Sequence, residues 1–174
     1  MEVLVRWKQW LLTIVLLLVA LGIVAFGLGE HLPAEHTTVA SRTISAPQAR
    51  VWALMVNVDA YPTWRSGLKS VDELPTDTGR RRWREHYKGM QMTFTLDDNQ
   101  PMTSRVVRME PEGAAFDGSW TFQLMPMDDG RTTVTIIEHG HTYSAGYRFA
   151  AHYIFGDDYQ QKRYLADLAR AAER

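Results

Sequence analysis

The sequence predicts an α+β fold in which a curved antiparallel sheet packs around a long C-terminal helix, preceded by one membrane helix. Residues 10–29 are uncharged and almost entirely apolar over a length that crosses a bilayer. Residues 68–142 alternate apolar and polar side chains in short segments, and residues 145–172 repeat apolar side chains at helical spacing without a proline. The 174 residues suffice for one domain and an accessory segment.

Composition excludes several classes of function. The net charge of -1 argues against a dedicated nucleic-acid-binding protein, which normally carries a strongly basic face. The chain has no cysteine, so disulfides, thiolate nucleophiles and cysteine metal sites are all excluded. We expect no cofactor and no nucleic-acid partner, and the sequence leaves protein partners open.

The apolar segment 10–29 is interpreted as a transmembrane signal anchor. Its 20 residues give a helix of about 30 Å, the thickness of the hydrocarbon layer. Arg6 and Lys8 precede it and Glu30 follows, which predicts a cytoplasmic segment 1–9 and a C-terminal domain outside the cytoplasm. The alternative is a secretory signal cleaved near Ala25-Phe26-Gly27, which places the domain in the same compartment.

The residues after the anchor predict a linker, a strand and a broken helix. Residues 30–37 form a short polar linker with a proline, and the domain occupies residues 38–174, beginning with a strand at 39–44. Ser45 and Gln48 have the spacing of a capping box at the start of a helix. Pro62 removes a backbone donor and disfavours helix before it, so we expect two short helices in place of one.

Six further strands and a closing helix complete the domain. Turn-forming residues at 75–79, 97–101, 111–113 and 128–130 separate strands that we expect to form an antiparallel meander. The strands are predicted at 68–74, 80–88, 90–97, 103–110, 115–126 and 131–142. The long closing helix covers 145–172, with a bend at Gly156.

Strand alternation predicts an apolar inner face and a basic outer face. Trp83, Glu85 and Tyr87 share one face of their strand. The opposite face of that segment carries Arg80, Arg82, Arg84, His86 and Lys88. These basic side chains either contact anionic lipid headgroups or form a solvated face that discourages edge pairing.

Four spaced motifs give the domain a resemblance to a known superfamily. The motifs are Ala46-Pro47-x-x-x-Val51-Trp52, Asp59-x-Tyr61-Pro62-x-Trp64, Gly118-x-Trp120 and Tyr164-Leu165-x-x-Leu168. With the order of elements, they resemble the START/Bet v 1-like superfamily (SRPBCC), which includes the polyketide cyclase/dehydrase and lipid transport proteins. The resemblance covers roughly residues 38–174 and implies a helix-grip fold with an internal hydrophobic cavity. Members bind lipids, sterols, quinones or polyketides, and some are enzymes.

Large apolar side chains on the inner face are the candidate ligand-binding residues. The resemblance implies a cavity, and an apolar cavity is a ligand site by default. Trp64, directly after the proline break, is predicted to pack against the sheet or to shape the cavity mouth. The candidates are Trp64, Trp83, Tyr87, Met92, Phe94, Trp120, Phe122, Phe149 and Tyr153. The alternative is that these residues simply fill the core.

Two carboxylates on apolar strand faces are the candidates for catalysis. Glu85 shares a strand face with Trp83 and Tyr87. Glu138 shares a strand face with the apolar side chains of Val134 and Ile136. A buried carboxylate needs a partner or a raised pKa, so Glu85, Tyr87 and Glu138 are candidates for proton transfer. The competing interpretation pairs each carboxylate with an arginine or with water.

His139 and His141 are the candidate metal ligands, because they alternate onto one strand face. A zinc site needs at least a third protein ligand, and the sequence does not supply one at a defined distance. We therefore expect no metal and interpret both histidines as exposed.

The leading functional hypothesis is membrane-tethered binding or transport of a small hydrophobic ligand, such as a lipid, an isoprenoid, a quinone or a polyketide-like molecule. The first alternative is a cyclase/dehydratase enzyme that uses the cavity carboxylates. The second alternative is a non-catalytic interaction module with a filled core. The sequence leaves open whether the chain is an enzyme.

Overall fold

The computed structural model describes residues 2–76, 79–111 and 116–174, with the side chains of α1 described from residue 7 onward. The first elements are α1 (Glu2–His31), β1 (Glu35–Ile44), α2 (Gln48–Val56) and a 3-10 helix (Val58–Thr63). The next strands are β2 (Ser70–Leu74), β3 (Arg82–Tyr87), β4 (Met90–Gln100), β5 (Ser104–Met109), β6 (Phe116–Pro126) and β7 (Thr132–Thr142). The chain continues with α3 (Ala145–Ala150), a π-helix (Ala151–Phe155) and α4 (Tyr159–Ala172).

The seven strands form one sheet in the order β1-β7-β6-β5-β4-β3-β2, and all neighbouring pairs are antiparallel. Strands β2 to β7 are therefore a meander, and β1 completes the sheet beside β7. Together with α4 this is the predicted helix-grip α+β fold, so the predicted fold class is confirmed. Parts of the turns predicted at 75–79 and 111–113, and the start of the strand predicted at 115, lie outside the described residues.

Helix α1 is long and apolar enough to span a membrane between Trp7 and His31. Its side chains from residue 7 onward are exposed except at Ala25 and Gly29. The link to the domain is shorter than the predicted linker 30–37. Helix α1 includes His31, and β1 begins at Glu35 because it pairs with His141 of β7.

Helix α2 does not begin with the predicted capping box. Pro47 occupies the N-cap position, with no side-chain cap. The Ser45 amide donates to Glu173, and the Gln48 side chain donates to the Met102 carbonyl, so both residues tie α2 to other parts of the fold. The proline break is present as predicted, since the 3-10 helix contains Pro62 and follows α2 after Asn57.

The closing segment is two helices rather than one bent helix. Gly156 has a φ of +90°, which an L side chain rarely adopts, and this separates the π-helix from α4. Only α4 lies in the grip of the sheet, where its buried residues include Tyr164, Leu165 and Leu168. The separate α3 packs against α1 and the end of β7.

Strand β4 extends beyond the predicted turn at 97–101 and reaches Gln100. A bulge between Leu96 and Asp98 lets the ladder with β5 continue. The bulge leaves Asp97 on the outer face, where it pairs with Arg80 and Arg108.

The outer face of β3 is basic but paired. The Arg82 guanidinium binds Glu110 through two hydrogen bonds, Arg84 donates to Thr93, and His86 contacts Asp72. Anions of the domain itself therefore occupy much of the predicted basic ladder, which supports the interpretation as a solvated outer face.

Candidate functional site

The inner face of the sheet keeps an apolar, half-buried region at the end where α1 leaves the domain. The side chains of this region, which we call the anchor-proximal face, are those of Tyr87, Met92, Met109, Phe116 and Trp120. Phe116 pairs with Thr142, whose amide donates to the Ala34 carbonyl between α1 and β1. The register therefore places this region beside the C-terminal end of α1, the predicted anchor.

Helices cover the inner face unevenly. Helix α4 packs against β1, whereas α3 packs against β7 and α1. Strands β3, β4 and β5 thus keep inward-facing apolar side chains that are only half-buried near the C-terminal end of α1. The fold leaves apolar surface here because the break at Gly156 takes α3 and the π-helix out of line with α4. Exposed apolar surface on a concave sheet suits a hydrophobic ligand.

A polar cluster lies on the same face as Trp83. The Arg65 guanidinium donates to the Glu85 carboxylate over 2.5 Å and to the Tyr87 hydroxyl over 2.8 Å. The Tyr87 hydroxyl in turn donates to Glu85 over 2.7 Å, and the Trp83 indole donates to the same carboxylate over 3.2 Å. Glu85 is 1% exposed, so the cluster satisfies a buried charge.

Two aromatic rings hold Arg65 in place. Its guanidinium carbon lies 5.0 Å from the ring centre of Tyr61 and 5.1 Å from that of Tyr164, both within cation–π range. Burial is the largest single effect and lowers the pKa of Arg65. The Glu85 carboxylate, together with the surrounding tyrosine hydroxyls, more than offsets burial and raises the pKa of the guanidinium above its ordinary value. Burial also raises the pKa of the Tyr87 hydroxyl well above its ordinary value, with the Glu85 charge adding to the shift, so Tyr87 stays protonated as a donor.

Glu138 belongs to a second polar cluster. Its carboxylate accepts hydrogen bonds from Thr38 and from the side-chain amide of Gln161, and it lies 3.8 Å from the His36 ring nitrogen. The Oε1 atom of Gln161 is buried without a protein partner among the described residues. Strands β4, β5 and β6 separate β3 from β7, so Glu85 and Glu138 occupy different parts of the face.

Trp64 lies in the core rather than at the half-open region. It is 8% exposed, and its ring makes edge contacts with Tyr61 at 5.3 Å and Tyr164 at 5.4 Å. Tyr164 also contacts Trp120 and Phe122 from the sheet. The proline break therefore directs Trp64 inward against α4, as the packing alternative expects.

The remaining aromatic candidates divide between the sheet and the segment after it. Trp83 is buried and stacks on half-buried Phe94, with ring centres 5.7 Å apart. Phe149 and Tyr153 instead lie on α3 and the π-helix, with ring centres 5.1 Å apart. Tyr153 is 55% exposed, so it does not line the inner face in this conformation.

His139 and His141 lie on the outer face. His139 shares a hydrogen bond with Thr37, and His141 stacks on Tyr143. Among the described residues no group of three or more histidine, aspartate or glutamate side chains is placed to hold a metal ion.

Two polar cavities open at the surface. One, of about 200 Å³, lies between the segment after the 3-10 helix and the end of α4, with Trp64, Asp167 and Arg170 in its lining. The other, of about 380 Å³, lies at the start of β1, with His36, Asp117 and His139 in its lining. Neither includes the anchor-proximal face.

Sequence reasoning missed Arg65 and Arg105. Arg105 is 2% exposed, donates to the Met55 carbonyl and lies over the Trp83 ring. It alternates with Val107 on β5, so strand alternation was the signal that it points inward. Arg65 follows the 3-10 helix in an irregular segment, where no periodicity indicates its direction.

A curved antiparallel sheet around one C-terminal helix, with apolar surface left on its inner face, defines a helix-grip domain. A sequence profile described as polyketide cyclase/dehydrase and lipid transport matches residues 35–173, so the chain belongs to that family. The resemblance predicted from the motifs is thereby confirmed.

Solved structures share this fold at low sequence identity. The Zhui aromatase/cyclase from Streptomyces sp. R1128 is 18% identical, with a TM-score of 0.67 over 80% of this chain and 94% of that one. A START superfamily protein from Mycobacterium smegmatis is 13% identical, with a TM-score of 0.61 over 79% and 97%. One two-domain aromatase/cyclase of the steffimycin biosynthetic pathway is 14% identical, with a TM-score of 0.63 over 79% of this chain and 44% of that one. No protein with a curated description matches the chain.

Proposed function

We propose that this protein binds a small hydrophobic molecule on the anchor-proximal face and holds or transfers it beside the membrane. The observation that carries the proposal is the half-buried apolar surface on the inner face of the sheet, at the end where α1 leaves the domain. Such surface costs free energy in water, and a hydrophobic ligand would remove it from solvent.

The ligand class follows from the side chains present. Met92, Met109, Phe116 and Trp120 offer apolar and aromatic contacts, and methionine adapts to irregular shapes. The polar groups of Arg65, Glu85 and Tyr87 already bond to one another, so affinity comes mainly from apolar contacts. A lipid, an isoprenoid, a quinone or a polyketide-like molecule fits this description, and the family description includes lipid transport.

In this proposal the domain lies outside the cytoplasm, and the charges that flank the apolar helix support that orientation. Lys8 lies before the apolar part of α1, and Glu30 ends it, which is the charge asymmetry of a helix with a cytoplasmic N-terminus. The anchor would keep the half-buried face close to the bilayer, where hydrophobic ligands are concentrated.

The test is a binding measurement on the full-length protein with a matched pair of variants. Native mass spectrometry and solvent extraction of purified protein should detect a hydrophobic molecule at one per chain. Met92→Trp fills the anchor-proximal face and should reduce the bound fraction several-fold. Met125→Trp adds the same side chain at an exposed position near the other end of the sheet and should leave binding unchanged. Protein that binds neither lipid nor hydrophobic probe would refute the proposal.

A cyclase-type enzyme is the second candidate function. The observation that favours it is the Tyr87 hydroxyl, a polar group at the edge of the apolar face with a buried charged pair behind it. Aromatase/cyclases are among the proteins with this fold. The Glu85 charge is engaged by Arg65, however, and Glu138 lies across three strands, so the carboxylates do not converge as an acid and base pair. If Tyr87→Phe leaves ligand binding intact but abolishes turnover of a bound polyketide-like compound, the enzyme function is supported.

A further inference from the structure

Hydrogen bonds from α3 hold the last turn of the apolar helix α1. The Arg148 side chain donates to the Gly29 carbonyl over 2.8 Å and lies 3.3 Å from the Glu30 carboxylate. The same guanidinium donates to the Thr142 and Tyr143 carbonyls at the end of β7. Arg148 therefore joins the anchor, the sheet and α3 at one point.

Gly29 permits the close approach of the two helices. A Cβ atom at Gly29 would lie 2.0 Å from the Ala145 carbonyl oxygen, so a larger residue would push α3 away. Gly27, two residues earlier, has no atom within 4 Å of the corresponding position. The contact is thus specific to the face of α1 that carries Gly29 and half-buried Ala25.

This contact would fix the depth of α3 if α1 spans a bilayer as proposed. Residues 10–29 form about 30 Å of helix, the thickness of the hydrocarbon layer, so Gly29 would then lie at its outer boundary. Because α3 touches Gly29, α3 would lie at the level of the lipid headgroups. Aromatic side chains are preferred at this level.

The segment from α3 to the start of α4 carries large apolar side chains that are exposed to solvent. Ile154 is 63% exposed and Phe155 is 60% exposed. Tyr147, Tyr153 and Tyr159 are exposed as well. The rings of Phe155 and Tyr159 lie 5.7 Å apart, and the ring of Tyr147 lies 5.9 Å from that of Phe116. Exposed apolar surface is typical of sites that bind a protein or a membrane.

We propose that residues 147–159 form a second membrane contact, in which Tyr147, Tyr153, Ile154, Phe155 and Tyr159 insert into the outer headgroup layer of the bilayer that α1 spans. The partner of this surface is the lipid bilayer, because the exposed segment continues directly from the contact of α3 with the apolar helix at Gly29. The inference rests on the membrane tether of the proposed function but not on ligand binding. Two attachments, α1 and this segment, hold the anchor-proximal face at a fixed orientation to the membrane.

The experiment uses the absence of cysteine in the chain, which allows single-cysteine labelling of the full-length protein. Phe155→Cys, Val15→Cys and Met125→Cys are each labelled with a polarity-sensitive fluorophore and reconstituted into phosphatidylcholine vesicles. Lipids carrying nitroxides at the headgroup or deep in the acyl chain then quench the label. We expect headgroup nitroxides to quench the label at position 155 several-fold more than the label at position 125, and deep nitroxides to quench the label at position 15.

The outcomes separate this inference from the proposed tether. Quenching at position 15 without quenching at position 155 overturns the second contact and leaves the tether intact. A label at 155 that is shielded from water but not quenched by lipid identifies a protein surface, such as a second copy of the chain, and also overturns it. Absence of quenching at both positions refutes the tether and the second contact together, whereas the ligand-binding test is independent of all three results.

Substitutions in α1 test the fastening. Gly29→Leu should separate α3 from the anchor and lower quenching at position 155. Gly27→Leu makes the same change where space is open and should have no effect. Equal quenching at position 155 in both variants would show that Gly29 does not set the depth of the segment.

Discussion

Arg65 and Glu85 form an enclosed ion pair, with the guanidinium nitrogen 2.5 Å from the carboxylate oxygen and with side chains that are 15% and 1% exposed. The pair joins the segment after the 3-10 helix to the inner face of β3. Its surroundings are aromatic, because Tyr61 and Tyr164 flank the guanidinium. The polar part of the inner face is therefore a fixed structural unit beside the apolar surface.

Breaking this pair on one side should be strongly destabilising. Arg65→Met leaves the Glu85 charge buried without its cation, and we expect the free energy of unfolding to fall by about 3–5 kcal/mol. Urea denaturation of the full-length protein in detergent measures this free energy of unfolding. The double variant Arg65→Met/Glu85→Leu removes both charges and should regain much of the lost stability. As a control, Arg80→Met breaks an ion pair with a half-exposed arginine and should reduce the free energy of unfolding much less. A double variant no more stable than Arg65→Met would contradict this account.

The pair of His36 and Glu138 should make stability depend on pH. The Glu138 carboxylate raises the pKa of His36 above its ordinary value, against the opposing effect of burial. A raised pKa in the folded state means that the contribution is fully present below about pH 6.5, the unfolded value, and is lost as the pH rises through the folded pKa. The stability difference between the natural protein and His36→Gln should therefore shrink from pH 5.5 to pH 8.5.

The Glu138→Gln variant is the control for this pH dependence. Replacing the carboxylate removes the main cause of the raised pKa of His36. In this background a further His36→Gln change should no longer lose its effect as the pH rises from 5.5 to 8.5. If the stability difference between the natural protein and His36→Gln does not change with pH, the titration of His36 is not coupled to Glu138.

Trp64→Ala should behave as a core substitution. Trp64 packs between Tyr61 and Tyr164, so its loss leaves a cavity, and we expect a cost of about 3–5 kcal/mol. Met125→Ala, at an exposed position, should change stability by less than about 0.5 kcal/mol. Chemical denaturation compares the two variants. A small loss of stability for Trp64→Ala together with a large loss of ligand uptake would instead support a role for Trp64 at a cavity mouth.

Gly118→Ala should destabilise the sheet near the C-terminal end of α1. Gly118 has a φ of +154°, and a Cβ atom there would lie 2.4 Å from the His139 carbonyl oxygen, so β6 or β7 must move. We expect a loss of more than about 1 kcal/mol. Gly146→Ala in α3 meets nothing closer than 3.8 Å and should be neutral or stabilising, since alanine favours helix. Thermal unfolding compares the two variants. Equal melting temperatures would count against the close approach of β6 to β7 at Gly118.

The sheet was predictable because its signals are local. Turn residues bound each strand of the meander, and alternation assigned Trp83, Glu85 and Tyr87 to the inner face, which is where they lie. The break at Pro62 is also a local effect, because proline lacks a backbone donor. The bounds of the helices and strands therefore differ from the predicted ones by a few residues in most elements.

The functional details depend on contacts that are distant in sequence. Arg65 and Glu85 are 20 residues apart, and Arg148 meets Gly29 across 119 residues. No periodicity relates such partners, so neither the ion pair nor the fastening of α1 to α3 was predicted. The capping box failed for the same reason, since Ser45 and Gln48 bond to Glu173 and Met102 instead of to each other's backbone.

Site-specific photo-crosslinking in the native membrane tests the central claim most directly. A benzophenone amino acid replaces Met92 on the anchor-proximal face or Met125 on the exposed end of β6, and irradiated protein is purified and its mass measured. The account predicts a covalent adduct with one hydrophobic small molecule at position 92 and none at position 125. No adduct at position 92, or the same adduct at both positions, would contradict the claim that the inner face binds a hydrophobic ligand.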